Sequence, residues 1–258
     1  MSHTPYFSPS LYLSAPWQYV LASLCILIAV IAAVILVKRR NASSNYRADL
    51  AWLRALIYFC ATSLIALFCG VTDAVLQNPL ATPAQTSDPR WLVGVAVCSL
   101  LIVIAYGFIW SKGTYTDGRL WHPVSTTVFG VMWGLSQAQL FLSFWALSEL
   151  AQLSLTWTTL ICISLISIYN GNWQQFYWDI KVSPLHNYPE WNLRKVLLCH
   201  VPNLLLTLPF FAIYGNVLLY MVFQTGALLL SSHRMHFPHW ADKYPAQANL
   251  TQLNLKKV

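Results

Sequence analysis

Residues 170–192 read NGNWQQFYWDIKVSPLHNYPEWN and hold four aromatics within six positions, followed at once by Asp179. A carboxylate packed behind Phe176, Tyr177 and Trp178 at a membrane interface is poorly solvated as an anion, so it holds its proton more tightly and can act as a general acid or base. The plainer alternative for Asp179 is a salt bridge to Lys181, Arg194 or Arg119 within the same set of loops. Glu190 also has the type of a catalytic acid. Its setting, Asn187-Tyr188-Pro189-Glu190, equally fits a helix start, with Asn as cap, Pro in the first turn and Glu at the third position.

Histidines flank that start. His186 precedes it, and His200 lies one helical turn before Asn203 in an apolar run, where an imidazole either bonds structurally or touches a ligand. Gln224, in the next apolar run, is a third large polar group that needs a partner or a cavity. On these grounds the candidate acid-base groups are Asp179, His200 and Glu190. The candidate substrate contacts are Tyr177, Trp178, His186, Asn187, Trp191, Arg194, Asn203 and Gln224. Arg194 and Lys195 read either as interfacial anchors or as a grip for an anionic headgroup or diphosphate. His233, His236 and His239 recur every third residue in HRMHFPH, but Pro238 interrupts the helix and no acidic or Cys ligand stands nearby, so no metal is expected.

What positions these residues is a set of long apolar runs. A bilayer core about 30 Å thick needs roughly 20 apolar helical residues. Seven runs meet that length, at 17–37, 51–76, 91–110, 124–147, 151–169, 193–213 and 214–231. The last two form one apolar stretch broken only by Tyr214-Gly215-Asn216, a credible tight turn between antiparallel helices. The expected fold is all-α, a seven-helix membrane bundle forming one domain over 1–258. The first sixteen residues lack Lys and Arg, so the first run is expected to be a retained span and not a cleaved signal.

Composition agrees. The 258 residues are 57% hydrophobic and 9% charged, against about 25% charged for a soluble domain. The net charge of +7 does not imply nucleic acid, because the fifteen Lys and Arg form no continuous basic face. With the N-terminus outside and the C-terminus cytoplasmic, fourteen of the fifteen fall on the cytoplasmic side and only Arg90 outside, as the positive-inside rule requires. The six cysteines sit in apolar runs without metal-binding spacing and read as small buried hydrophobes.

The runs at 17–37 and 91–110 are almost purely aliphatic, with nothing polar beyond Gln18, Ser23, Ser99 and Tyr106, and are expected to face lipid on most sides. Helical spacing aligns polar residues on the other five: Thr62, Cys69 and Asp73; Ser136, Gln139 and Ser143; Ser164, Ser167 and Asn170; His200, Asn203 and Thr207; Asn216, Tyr220, Gln224 and Ser231. Such stripes either bond between helices or line a cavity. Asp73, near an outer end, reads as a capping group or a proton relay.

No cofactor motif is present: dinucleotide loops, P-loops and GxSxG elbows are missing, as are the paired Asp motifs of magnesium-dependent membrane prenyltransferases. The expectation is an integral membrane enzyme, in a plasma or inner membrane, that takes a lipid or isoprenoid from the cytoplasmic leaflet and isomerises or cyclises it by acid-base chemistry. A binding or assembly subunit of a membrane complex is the alternative, and a small-molecule transporter the third.

Overall fold

The computed structural model describes residues 48–111, 121–150, 154–174 and 193–236, together with Ser23 and Leu27. Among the described residues every regular element is helical and no strand occurs. The run expected at 17–37 and the segment 175–192 lie outside them, apart from Ser23 and Leu27, which are helical and exposed.

Helix α1 spans Ala48–Phe68 and α2 spans Val71–Gln77. The sequence pattern suggests one span here, yet the chain bends by 76° between them. Gly70 is the cause: its φ of 75° is a left-handed conformation that ends α1 and restarts the chain in a new direction. Asp73 consequently falls in the first turn of α2, where a helix N-terminus favours a carboxylate.

The short helix α3, Pro83–Thr86, begins with a reciprocal cap between Thr82 and Gln85. Helix α4 follows at Pro89–Trp110, capped by the Asp88 carboxylate accepting the Arg90 N–H at 2.9 Å. Next come α5, Pro123–Leu150, and α6, Leu155–Gln174. Helix α7 is Leu193–Ile213 and α8 is Val217–Met235. The expected break between the last two is present. Gly215, at φ 73°, closes α7 by letting the Asn216 N–H donate back to the Phe211 carbonyl at 2.8 Å.

Among the described residues two helices, α4 with 22 residues and α7 with 21, are long and apolar enough to cross a membrane, or three if α1 and α2 count as one broken span. That makes the chain compatible with an integral membrane protein. The expected spans at 124–147, 151–169 and 214–231 are less apolar than α4 and α7. Gln137 and Gln139 interrupt α5, α8 carries Gln224 and a polar last turn, and only Leu155–Ser167 of α6 is a continuous apolar stretch. The exposed side of α4 is an apolar stripe through Leu92, Val93, Val97, Leu100, Ile104 and Phe108, the surface that lipid rather than water suits.

Helix α5 is the hub. Its longest contact is with α8, where Gly130 and Gly134 face the α8 backbone: a Cβ at 134 would stand 2.6 Å from Thr225 Cα, and one at 130 would stand 3.0 Å from Leu229 Cα. This is the small-xxx-small contact of membrane helices, a spacing the reading of polar stripes passed over. Pairing of Gly134 with Thr225 and Gly130 with Leu229 makes the two helices antiparallel. Trp52 against Phe129 and Ser63 bonded to Gln139 set α1 parallel to α5. Tyr169 against Phe144, with Cys162 near Ser148, sets α6 antiparallel to it. Of the five described cysteines, four are buried as expected; Cys60 is exposed, on the outer face of α1.

Each end of the bundle is tied by side chains. At one end Asn216 donates to the Leu80 carbonyl and to Gln85, both at 3.0 Å, and accepts the Trp91 indole N–H at 3.0 Å. Gln85 donates in turn to the Tyr214 carbonyl at 2.8 Å. At the other end Arg234 Nε donates to Ser111 at 3.1 Å and Ser232 donates to the Thr126 carbonyl at 3.1 Å.

Candidate functional site

Helices α4 and α7 both leave the α-helical register where they meet. In α4 the turns from Val103 to Trp110 are wound as a π-helix, and in α7 the same occurs at Val196–His200 and Asn203–Thr207. In α7 the reason is local. Pro202 and Pro209 lack the N–H that an α-helix needs and crowd the carbonyl four residues back. Around them the backbone bonds five residues back instead, Val201 to Val196 and Leu208 to Asn203. Wider turns of this kind concentrate at functional sites. Here they carry Tyr106, His200 and Asn203 into the same buried volume.

A continuous hydrogen-bonded chain results. The Tyr106 hydroxyl lies 2.9 Å from His200 Nδ1 and accepts from Asn203 Nδ2 at 3.0 Å. The same amide nitrogen faces the Tyr220 hydroxyl at 3.0 Å and Gln224 Oε1 at 3.3 Å, while Tyr220 donates back to Asn203 Oδ1 at 3.3 Å. Thr207 closes the other side of Asn203, its hydroxyl bonded to the Asn203 carbonyl at 2.9 Å and also to Oδ1. Gln224 Nε2 then donates to Gln137 Oε1 at 2.9 Å, and Gln137 Nε2, fully buried, has no hydrogen-bond partner among the described residues. Seven side chains from α4, α5, α7 and α8 thus form one connected polar thread through the core.

The direction of donation follows from these contacts. With Asn203 donating to its oxygen, Tyr106 has one hydrogen left to give, and His200 Nδ1 receives it, so the neutral imidazole carries its proton on Nε2. Three aromatic rings enclose that imidazole: Trp110, Phe141 and Tyr106, with centroids at 4.9, 5.3 and 5.7 Å. Beyond Trp110 stands Lys195, buried, its Nζ 5.3 Å from the indole centroid.

The site residues expected from sequence divide three ways. His200, Asn203 and Gln224 come together in the thread. Arg194 stays apart, exposed near the described start of α7. Asp179, Glu190, Tyr177, Trp178, His186, Asn187 and Trp191 lie outside the described residues. The stripe on α6 does not point inward at Ser164, which is exposed and bonded to the Leu160 carbonyl of its own helix. Ser136 and Ser143 also bond backward to Met132 and Gln139, the ordinary fate of serine in an apolar helix.

Tyr106 stands on the run expected to face lipid on most sides, and it is absent from the site residues expected from sequence. One Tyr in an aliphatic run carries little signal, and only its offset from Trp110 on the same helical face hints at an inward-pointing side. Among the described residues no group of three His, Cys, Asp or Glu is placed to hold a metal. Comparison with protein-family models, curated proteins and solved structures returns no match for this chain.

Proposed function

We propose that the chain is a seven-span membrane protein, N-terminus outside and C-terminus cytoplasmic, which acts on a lipid or isoprenoid from the cytoplasmic leaflet by acid-base chemistry. Helix directions support the topology. Trp91 and Asn216 share one end of the bundle, while Ser111, Thr126 and Ser232 to Arg234 share the other, as alternating spans require. Charge supports the orientation: of the five described Lys and Arg, Arg54, Arg194, Lys195 and Arg234 belong to the second end and Arg90 to the first.

The observation that carries the enzymatic reading is the buried thread at the π-wound turns. A neutral imidazole aligned by a tyrosine and ringed by three aromatic faces has the parts of a proton-transfer site for an apolar substrate. Isomerisation adds a proton at one carbon of a double bond and removes another from the carbon adjacent to that bond, so atoms and charge balance without a cofactor. Asp179, which lies between α6 and α7 in the sequence, is the proposed donor, His200 the partner group, and the rings of Trp110 and Phe141 the surface that tolerates transient positive charge. Because the thread consists of neutral amides, phenols and an imidazole, the polar end of a substrate held there is a neutral oxygen, since neutral groups do not offset the desolvation of a charge.

One observation favours the second reading, a binding or assembly subunit: the Asn203 amide is engaged wholly within the protein, as in a network built for rigidity. Purification from native membranes in mild detergent separates the two. A monomer that retains a lipid or isoprenoid, and shifts its double bonds on incubation unless Asp179→Asn or His200→Gln is present, supports the enzyme. A stoichiometric protein partner with no retained lipid overturns it.

A further inference from the structure

We propose that His233 is an acid-sensitive clasp holding the end of α8 against the start of α5. The Trp121 indole Nε1 carries a hydrogen and can only donate, and it meets His233 Nδ1 at 3.0 Å. That nitrogen therefore presents its lone pair, and the ring's one proton sits on Nε2, 3.1 Å from the Thr127 hydroxyl. Both ring nitrogens are thus engaged from the α5 side, by Trp121 just before the helix and Thr127 in its first turns.

A second proton has only Nδ1 to occupy. There it would face the indole N–H, two donors with no acceptor between them, so protonation and the Trp121 bond exclude each other. The surroundings keep the ring neutral near pH 7: partial burial, and then the nearby His236, both hold His233 below its ordinary value of 6.5. Among the described residues, three other charged or titratable groups near this end have contacts of their own. Arg234 lies over the Phe108 ring at 4.7 Å and bonds to Ser111. His122 accepts the Ser125 N–H through Nδ1 at 3.4 Å, and Lys195 covers Trp110.

The sign follows directly. A histidine whose folded value is depressed binds fewer protons folded than unfolded, so its contribution is full above 6.5 and is lost as pH falls below that. The bond from Ser232 to the Thr126 carbonyl does not titrate. Acid therefore frees the segment leading into α5 without separating the two helices, a local release at the end of the bundle.

The test is NMR of the full chain in detergent micelles with 15N-labelled indoles, from about pH 8 to about pH 4.5. The Trp121 signal is identified by its loss in Trp121→Phe. Trp91, whose indole bonds to the non-titrating Asn216, is the internal reference. The expected result is a Trp121 shift with a midpoint below 6.5 while Trp91 stays still. His233→Asn, whose side-chain oxygen replaces the Nδ1 lone pair, abolishes the midpoint, and His236→Gln raises it. A Trp121 signal independent of pH, or one that titrates unchanged in His233→Asn, overturns the proposal.

Discussion

Replacing Gly134 with alanine tests the packing on which everything else rests. The added Cβ would lie 2.6 Å from Thr225 Cα, 2.9 Å from Thr225 O and 3.1 Å from Thr225 Cγ2. Carbon atoms sit comfortably at about 3.5 Å or more, so α8 must withdraw by roughly 0.9 Å at this point. Rotating a side chain does not relieve the clash, because two of the three atoms are backbone. Gly130, one turn away, is nearly as close to Leu229 and Ser232, so tilting the helices only moves the overlap.

Overpacking of this kind costs about 1–3 kcal/mol. The 2.9 Å bond from Gln224 to Gln137, beside Thr225, stretches as well and adds about 1 kcal/mol. Alanine regains about 1 kcal/mol of helix propensity, leaving a net loss of about 1–3 kcal/mol. The control is Gly226→Ala on α8, where a Cβ meets nothing within 4 Å and only the propensity gain applies. Unfolding followed by circular dichroism during an SDS titration in mixed micelles should separate the variants by about 2–4 kcal/mol. Equal stabilities for Gly134→Ala and Gly226→Ala would refute the close contact of α5 with α8.

Asn203→Leu removes the hub of the thread and leaves Tyr106, Tyr220 and Gln224 short of a partner. A loss of about 1–3 kcal/mol is expected in the same titration, whereas Ser164→Ala on the exposed side of α6 should stay within about 0.5 kcal/mol. Gly215→Ala forces a side chain into the left-handed conformation that closes α7 and should cost about 1–2 kcal/mol. Asn216→Ala cuts α8 from Trp91, Leu80 and Gln85, and should speed hydrogen exchange at the Trp91 indole while leaving the Trp121 indole unchanged.

The fold was legible where long apolar runs end in turn chemistry. The C-terminal bound of α7 and the turn at Gly215 follow from a run of about 20 apolar residues and a Gly-Asn pair. The bend at Gly70 was not legible, because glycine within an apolar run is as compatible with close packing as with a break. Gly134 is the same residue type in a similar setting and has the opposite role. Only the identity of the facing atom, Thr225 Cα, distinguishes the two, and that is tertiary information.

The site was legible by residue size. His200, Asn203 and Gln224 stood out because a large polar group in an apolar helix needs a partner, and each has one. What spacing along one helix does not reveal is which neighbours are chosen. The proline-driven π turns of α7 shift Asn203 away from simple i, i+3 alignment, and the π turns of α4 do the same for Tyr106, so a stripe drawn at 3.6 residues per turn misses the meeting of the two. The same geometry explains why one tyrosine in the most aliphatic described helix is more informative than the serines of α6. Ser164 satisfies itself on its own backbone. A phenol hydroxyl stands too far from its own helix to do so, and a buried Tyr106 therefore had to find His200 or Asn203 across the interface.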